Sequence, residues 1–288
     1  QNPLGILNEK TVLIHDALVM GIRNYFGKLG FTRAILGLSG GIDSAVTMVL
    51  AARALGPENV RAVLLPSAFS SEHSVNDAIA LANNLGSPYD LISIENAFDT
   101  LDETMQQVFG DLPFGIAEEN IQARIRGVIL MAMSNKFGHI LLNTSNKSEA
   151  AVGYSTLYGD MNGGLSVLGD VYKTEVFRLA RYINKDSEII PEHSITKPPS
   201  AELRPDQKDS DSLPEYDILD EILFQYVEKR KGPKELIAMG FEKTIVERIL
   251  KLVNTSEYKR FQTPPILRVS SKAFGMGRRI PIVARYLS

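Results

Sequence analysis

Short apolar segments alternate with segments of helical period along the first two thirds of the sequence. Four of the apolar segments predict buried strands: residues 33–38, 60–65, 89–94 and 139–143. Five helical patterns accompany them, at residues 13–29, 44–55, 74–85, 119–136 and 174–183. Strands and helices that alternate at this spacing predict a doubly wound α/β fold, with helices on both faces of a parallel sheet. In such sheets, ligands bind beyond the carboxyl ends of the strands, where the strand order reverses.

The later part of the chain differs from the first two thirds in its amino-acid composition. Residues 144–170 are rich in Gly, Asn, Ser and Thr, which is typical of loops that carry chemistry. Residues 196–213 contain three prolines and an acidic and serine-rich cluster that includes Asp206 and Asp209, so we expect a mobile loop with little to bury. From Tyr216 onward the pattern is mostly helical. There is no repeat or convincing linker, so we expect residues 1–288 to form one domain.

Composition excludes several classes of function. The 288 residues contain no cysteine, so disulfides, zinc–thiolate sites and thiolate nucleophiles are excluded. The formal net charge of −3 gives no overall attraction for nucleic acid, and any phosphate ligand must be held by local groups. No apolar run is long enough to span a bilayer. We therefore expect a soluble, cytoplasmic protein with no nucleic-acid or membrane partner.

The most specific motif is Ser39-Gly40-Gly41-Ile42-Asp43-Ser44, at the junction of the first strand and the helix that follows it. Two glycines let the backbone turn tightly, and the free amides at the start of the helix suit a phosphate. The serine hydroxyls add donors, and Asp43 is a suitable ligand for magnesium. No lysine follows the glycines, so this is not a Walker loop. The simpler alternative is an ordinary strand-to-helix turn with a helix cap.

This hexamer resembles the signature of the ATP pyrophosphatases, which cleave ATP to AMP and pyrophosphate. In that family the loop holds the β,γ-pyrophosphate and leaves the α-phosphorus open to attack by an oxygen atom. GMP synthetase, asparagine synthetase, tRNA thiolases and NAD synthetase share the motif, so the hexamer alone does not choose among them. The thiolases that relay sulfur through cysteine are excluded by the composition.

Three further segments narrow the choice. Residues 119–126 open a helix on which Asn120 and Arg124 share one face, while Ile121, Ile125 and Val128 are expected to turn toward the core. Residues 143–160 begin where the strand at 139–143 ends, which is the expected place for ligand contacts. Lys173 precedes a helix and is well placed for a phosphate. Each segment also has a plain alternative: a solvated helix face, a polar surface loop and a solvated lysine.

Together these segments resemble the synthetase half of glutamine-dependent NAD synthetase, and the similarity extends over residues 13–281. It includes the runs at residues 197–203 and 271–275. The resemblance implies an adenine nucleotide alpha hydrolase-like fold with a helical C-terminal extension, ATP as co-substrate, Mg²⁺ as cofactor, and deamido-NAD and ammonia as substrates. It also implies a homodimer or a higher homo-oligomer.

The resemblance assigns site residues by position. The ATP site comprises Gly37, Leu38, Ser39, Gly40, Gly41, Ile42, Asp43, Ser44, Thr144, Lys173 and Ser200. The deamido-NAD site comprises Asn120, Arg124, Glu149, Tyr154 and Lys272. The magnesium-associated residues are Asp43 and Glu149, and the catalytic residues are Asp43 and Lys173. The resemblance does not supply a general base, and Asp160 is our own catalytic candidate for handling the ammonium proton. Ser200 stands where many relatives have threonine, but the hydroxyl is kept.

The implied reaction has two steps. The nicotinate carboxylate attacks the α-phosphorus of ATP and releases pyrophosphate, and ammonia then displaces AMP from the mixed anhydride. Glutamine-dependent enzymes carry an N-terminal glutaminase domain with a Glu-Lys-Cys triad, which a chain without cysteine lacks. The chain is therefore either a fragment that begins at Gln1, which we favour, or an enzyme that accepts free ammonia. GMP synthetase and a catalytically silent nucleotide-binding module remain alternatives.

The loop at residues 196–213 has a further expected role. Lys197 and Ser200, near its start, match positions that reach phosphates. We expect the loop to close over the substrates, exclude water and protect the anhydride from hydrolysis. The alternative is a solvated loop without a role.

Overall fold

The computed structural model describes residues 3–205, 207–275 and 277–282. Gln1 and Asp206 lie outside the described residues. The strands are β1 (Ala34–Gly37), β2 (Val60–Leu64), β3 (Tyr89–Leu91), β4 (Ile140–Asn143) and β5 (Leu165–Ser166). The helices are α1 (Pro3–Leu29), α2 (Ile42–Leu55), α3 (Glu72–Leu85), α4 (Glu95–Phe109), α5 (Ile116–Phe137), α6 (Lys147–Val152), α7 (Lys173–Ile183), α8 (Glu192–Thr196), α9 (Tyr216–Val227), α10 (Pro233–Ala238), α11 (Lys243–Thr255) and α12 (Glu257–Arg260).

The five strands form one parallel sheet in the order β3-β2-β1-β4-β5. β2 and β3 follow β1 on one side of the sheet. The chain then crosses to the other side of β1, where β4 and β5 are added, so the strand order reverses between β1 and β4. The phosphate-loop motif follows β1 and the Thr144 segment follows β4. The crevice at the switch in strand order therefore lies between the two segments that the sequence selected.

Alternate residues of β1 enter different cores. Ala34 and Leu36 pack in the core that includes residues of α1, α2 and α7. Ile35 packs in a smaller core on the opposite face, with Ile121 and residues of α4 and α5. Because side chains alternate across a strand, both faces of the sheet are covered by helices. The doubly wound α/β fold is confirmed.

The C-terminal helices have an apolar core of their own. Leu219, Ile222 and Leu223 of α9 pack with Ile249 and Leu250 of α11, and all five are completely buried. This core also includes Ala151, Val152 and Tyr172, which belong to α6 and to the residue before α7. The helical C-terminal extension is therefore packed against the segments that follow β4.

Several details differ from the sequence analysis. The helix α4 was not predicted, and residues 144–170 contain α6 and β5 rather than loop alone. Val128 was expected in the core but is 68% exposed, because the buried face of α5 passes through Ile121 and Ile125 and leaves Val128 on its outer side. In the part of the chain that the structure describes, no helix has the length and apolar character needed to cross a membrane.

The proline-rich segment at residues 196–213 also differs from expectation. It is mostly irregular, with one 3₁₀ turn at Asp209–Asp211. The expectation that it has little to bury is wrong, since Asp209 and Leu213 are both buried. Asp209 is held inside because the Tyr216 hydroxyl donates a 2.8 Å hydrogen bond to its carboxylate and its own amide donates to the Pro199 carbonyl.

Candidate active site

The turn between β1 and α2 needs glycine at position 40. Gly40 has a φ of 78°, and a Cβ atom there would lie 2.1 Å from the carbonyl oxygen of Ser74 in α3. Left-handed backbone is unfavourable for other residues, and the contact leaves no room for a side chain. The loop can therefore approach the start of α3 closely while α2 begins at Ile42.

The two serines of this loop hydrogen bond within it. The Ser44 hydroxyl donates to the Gly41 carbonyl at 3.0 Å and accepts from the Ser39 amide at 3.3 Å. The Ser39 hydroxyl accepts from the Gly41 amide at 3.2 Å. Ser44 is buried, so its side chain fixes the shape of the loop. Its predicted contact with ATP stays a prediction.

Two adjoining pockets open at the carboxyl ends of β1, β2 and β4. The first, which we call the apolar pocket, has a volume of about 250 Å³ and is lined mainly by aliphatic side chains such as Leu64, Leu130 and Leu142. The second, the polar pocket, has a volume of about 180 Å³ and is lined by the Gly41 loop, Asp43 and other charged residues. Both pockets share the lining residues Ser39, Thr144, Asp160, Ala201 and Glu202.

Three charged side chains meet in the polar pocket. Lys173, at the start of α7, is 3% exposed and forms an ion pair with Asp43. Its ammonium nitrogen also lies 3.5 Å from a carboxylate oxygen of Glu149 in α6. The structure thus brings together three predicted site residues from three separate segments, although 130 positions separate Lys173 from Asp43.

The ionisation of this group follows from burial and mutual attraction. Burial acts against the charge of Lys173, but the carboxylates of Asp43 and Glu149 outweigh it and hold the pKa of Lys173 above its ordinary value. Burial and the neighbouring Asp43 charge raise the pKa of Glu149 to about 8. The pocket therefore holds a buried cation beside two carboxyl groups, and Glu149 keeps its proton at a higher pH than an ordinary glutamate does.

The first turn of α7 is capped by residues that are distant in sequence. Tyr172 stands at the N-cap but gives no side-chain hydrogen bond. The Lys173 amide donates instead to the Ser148 hydroxyl at 2.9 Å, and the Thr174 amide donates to Asp220 of α9 at 2.8 Å. Lys173 is therefore positioned by both α6 and the C-terminal helices.

Asp160 lies at the boundary of the two pockets. One of its carboxylate oxygens accepts a 2.6 Å hydrogen bond from the Thr156 amide. Desolvation of its carboxyl group raises the pKa of Asp160 to about 6, although the residue is exposed where it faces the two pockets. At neutral pH this carboxylate is mainly ionised and can accept a proton.

The residues predicted to hold deamido-NAD are divided between two regions. Asn120 accepts a 2.7 Å hydrogen bond from the Thr156 hydroxyl, and Arg124 donates to the Leu157 carbonyl at 3.2 Å. Tyr154 and Glu149 line the polar pocket. Lys272 lies elsewhere, in a basic pocket lined also by Arg230, Arg268 and Glu228, none of which lines the apolar or polar pocket.

The segment at residues 197–203 covers part of both pockets. Ser200 lines the polar pocket, and its hydroxyl donates to the Gln207 carbonyl. The Lys197 ammonium donates to the Ser74 hydroxyl at 2.8 Å. The Glu202 carboxylate accepts hydrogen bonds from the Ser71 amide, at 3.3 Å, and from the Ser71 and Ser74 hydroxyls. The segment is thus attached to the start of α3 above the phosphate loop.

Two charged residues of the apolar pocket were not among the predicted site residues. Arg126 donates a 2.9 Å hydrogen bond to the Leu65 carbonyl, and burial lowers its pKa to about 10. Glu202 is the second. A signal for Arg126 was present in the sequence, since Gln122 lies four residues earlier and two polar residues at this spacing share one helix face. Nothing in the local sequence distinguishes Glu202 from a solvated carboxylate.

Metal ligands were predicted at Asp43 and Glu149. Among the residues that the structure describes, no group of three or more His, Asp or Glu side chains is arranged to hold a metal ion. A pair of carboxylates is nevertheless sufficient for Mg²⁺ when phosphate oxygens and water complete its coordination.

Comparisons with known proteins agree on one family. A family model described as NAD synthase matches residues 14–263. The glutamine-dependent NAD(+) synthetase of Synechocystis sp. is 55% identical over 271 residues, which are 94% of this chain and 49% of that protein. A structure of glutamine-dependent NAD+ synthetase from Acinetobacter baumannii in complex with ADP is 46% identical, with a TM-score of 0.64, over 94% of this chain and 49% of that one.

A shorter protein is similar over nearly its whole length. The NH3-dependent NAD synthetase of Campylobacter jejuni, whose structure contains a nitrate ion, is 28% identical, with a TM-score of 0.70. The alignment covers 88% of this chain and 97% of that chain. This chain thus spans about half the length of the curated relatives it matches, and almost the full length of an ammonia-dependent one.

Proposed function

The chain belongs to the NAD synthase family, and on that premise we propose that it amidates deamido-NAD to NAD with ATP and ammonia, and releases AMP and pyrophosphate. The observation that carries the proposal is the group of Asp43, Lys173 and Glu149 beside the Gly40 turn. Fixed charges next to free helix amides suit a triphosphate whose terminal phosphates must leave with their charge neutralised.

The two adjoining pockets support the binding mode of ATP. An adenine base suits the apolar pocket, where aliphatic side chains dominate, and the phosphates suit the polar pocket around Gly41 and Lys173. Thr144 lines both pockets and is therefore in reach of the part of the nucleotide that joins base and phosphates. In this arrangement the amides that begin α2 face the terminal phosphates.

The carboxylates of Asp43 and Glu149 fit a magnesium ion. Carboxylate oxygens are hard ligands of the kind that Mg²⁺ binds. The pKa of Glu149 is raised to about 8 because Lys173 alone does not neutralise the charges of both carboxylates. Bound together with ATP, Mg²⁺ would supply charge neutralisation for the pyrophosphate leaving group. Asp43 and Glu149 would hold the ion, and Lys173 would remain as the fixed cation of the site.

The reaction follows in two balanced steps. A nicotinate carboxylate oxygen forms a bond to the α-phosphorus as the bond to pyrophosphate breaks, and Lys173 stabilises the charge that develops on the leaving phosphates. The nitrogen of ammonia then bonds to the carbonyl carbon, and AMP leaves with the electron pair of the broken C–O bond. Asp160, ionised at neutral pH, accepts a proton from the nitrogen. Positioning supplies the rest of the rate enhancement, since no covalent nucleophile is needed.

The dinucleotide substrate would extend from the polar pocket along the start of α5. We assign its binding to Asn120, Arg124, Glu149 and Tyr154. Lys272, in the separate basic pocket, would reach a dinucleotide only if that pocket faced the active site of a second copy.

We also propose a homodimer, because Ile116 and Val128 leave a large apolar surface on α5, being 75% and 68% exposed. Sedimentation analysis of the purified chain tests this proposal. A monomer at micromolar concentration would contradict it.

The decisive test is product analysis on the purified chain. With ATP, Mg²⁺, deamido-NAD and ammonium, we expect NAD, AMP and pyrophosphate in equal amounts. Glutamine in place of ammonium should give no NAD, because the chain has no cysteine to release ammonia from it. AMP formation that depends on XMP instead would favour a GMP synthetase, and the absence of AMP with every substrate would favour a silent nucleotide-binding module.

A variant ties this activity to the site. Asp43→Asn should lower NAD formation by about a hundredfold or more, the scale of losing one electrostatic group from an active site. Asp16→Asn, an exposed change on α1, should leave it unchanged. Near-normal turnover in Asp43→Asn would mean that Asp43 has only a structural role at the start of α2.

A further inference from the structure

Asn146 lies beneath the polar pocket and uses both ends of its side chain. It is completely buried, at the N-cap of α6. Its carbonyl oxygen accepts a 3.0 Å hydrogen bond from the Glu149 amide, and its amide nitrogen donates a 2.9 Å hydrogen bond to Asp43. The first contact caps the helix, and the second reaches across to α2.

These contacts complete a closed ring of four residues. Asp43 receives Asn146 on one carboxylate oxygen and Lys173 on the other. Glu149 receives the Asn146 backbone amide at 3.3 Å on one oxygen and faces Lys173 at 3.5 Å with the other. Asn146 and Lys173 therefore each contact both carboxylates, Lys173 as a cation and Asn146 as a neutral group.

The chemistry of the position selects asparagine over other helix caps. Serine and aspartate cap helices about as well as asparagine does, and threonine caps them somewhat less well. A serine or threonine hydroxyl can accept from the Glu149 amide, but it is too short to donate to Asp43 as well. Aspartate would add a third negative charge beside Asp43 and has no proton to donate when ionised. Asparagine supplies an acceptor and a donor without changing the charge of the pocket.

We propose that Asn146 is a positioning residue that holds Asp43 and Glu149 in the orientation that binds Mg²⁺ with ATP. The proposal rests on the proposed function, since it assumes that these two carboxylates hold the ion. Without the hydrogen bond from Asn146, the Asp43 carboxylate would be held by Lys173 alone and would turn toward that cation. The expected consequence is weaker binding of Mg²⁺ and ATP with an unchanged fold.

The test compares two roles of one side chain. Asn146→Ser keeps the helix cap and loses the donor to Asp43, whereas Asn146→Ala loses both. Asn184→Ser is the matched control, because Asn184 accepts from the Ile189 and Ile190 amides and donates to the Ile190 carbonyl at the far end of α7. Asn146→Thr is a second variant, with more bulk, should the serine variant not fold.

Three measurements separate the outcomes. In Asn146→Ser, the Mg²⁺ concentration that gives half-maximal NAD formation should rise about tenfold or more, the usual cost of removing a group that orients a metal ligand. Calorimetric binding of ATP with Mg²⁺, without deamido-NAD, should weaken by a similar factor. Thermal unfolding without Mg²⁺ should change less than in Asn146→Ala. Asn184→Ser should alter thermal unfolding but neither Mg²⁺ measurement.

Either of two results with the variants would overturn the proposal. The first is an Mg²⁺ requirement and ATP affinity in Asn146→Ser within about twofold of the unmodified chain, which would leave Asn146 as a helix cap only. The second is an equal shift of the Mg²⁺ requirement in Asn184→Ser, which would trace the effect to general destabilisation.

If the unmodified chain binds ATP with Mg²⁺ but makes no NAD, the proposed reaction fails while the calorimetric comparison still decides the role of Asn146. Absence of any Mg²⁺-dependent ATP binding would overturn both.

Discussion

Replacing Asp220 by asparagine should change how the stability of the protein depends on pH. Asp220 lies on α9 and is 5% exposed, and its carboxylate accepts hydrogen bonds from the Ser148 hydroxyl and the Thr174 amide. Burial nevertheless raises its pKa from 3.8 to about 6. Asparagine has nearly the same shape and keeps an acceptor for Thr174, but it does not titrate.

The size of the effect follows from proton linkage. A carboxyl group whose pKa rises from 3.8 to about 6 on folding binds its proton about 3 kcal/mol more favourably in the native chain than in the unfolded one. This contribution to stability is complete below the unfolded pKa and is lost as the pH rises through the native pKa. Between about pH 4.5 and about pH 7.5, the loss is roughly 2 kcal/mol.

Urea unfolding of the two chains across this pH range tests the reasoning. The free energy of unfolding of Asp220→Asn, relative to the unmodified chain, should rise by roughly 2 kcal/mol as the pH increases. Asp217→Asn, an exposed change on the same helix, is the control for the substitution itself and is measured over the same pH range. A difference for Asp220→Asn that stays constant within about 0.5 kcal/mol would refute the raised pKa.

Two further predictions concern the phosphate loop and the segment above it. Gly40→Ala should abolish ATP binding, because the new Cβ atom would clash with the Ser74 carbonyl. It should also destabilise the fold by more than the ~1–2 kcal/mol that a left-handed backbone conformation costs a residue other than glycine. Gly30 also has a positive φ, of 76°, but a Cβ atom there would meet no other atom within 4 Å, so Gly30→Ala should cost only the energy of the left-handed backbone. An equal loss of stability in the two variants would contradict the close contact between Gly40 and Ser74. ATP, deamido-NAD and Mg²⁺ together should slow proteolysis within residues 196–213 and not elsewhere. Unchanged cleavage at saturating ligand would contradict closure of this segment.

The sheet could be predicted because its signal is local. Each predicted strand is a short apolar run bounded by turn residues, and the crevice follows from strand order and parallel pairing. The strand β5 has two residues and no period of its own, so it depends on partners distant in sequence: it pairs with β4, and Ser166 also bridges to Ile266. The helix α6 did have a signal, the capping box formed by Asn146 and Glu149, which the polar composition of residues 144–170 obscured.

The site could be predicted only in part, for a related reason. The phosphate loop and the ends of β4 and α7 are local features, and the sequence selected Asp43, Glu149 and Lys173 from them. Their mutual contact depends on the distance between α2, α6 and α7, which no spacing in the sequence encodes. The basic pocket around Lys272 illustrates the limit, since motif similarity grouped Lys272 with residues that lie elsewhere in this chain.

Two buried lysines connect the C-terminal helices to the candidate active site. A buried ammonium is costly unless it is paired, and Lys147 and Lys173 begin the two helices that meet at the polar pocket. Lys147, with no exposed surface, is paired by Asp170 at 2.9 Å and by Glu228, the residue that follows α9, at 3.0 Å. Asp220, also on α9, caps the first turn that carries Lys173. The sheet therefore supplies the phosphate loop, but the cation opposite that loop is held in place from the C-terminal side. A chain that ended before α9 would leave Lys147 without one carboxylate and α7 without its cap.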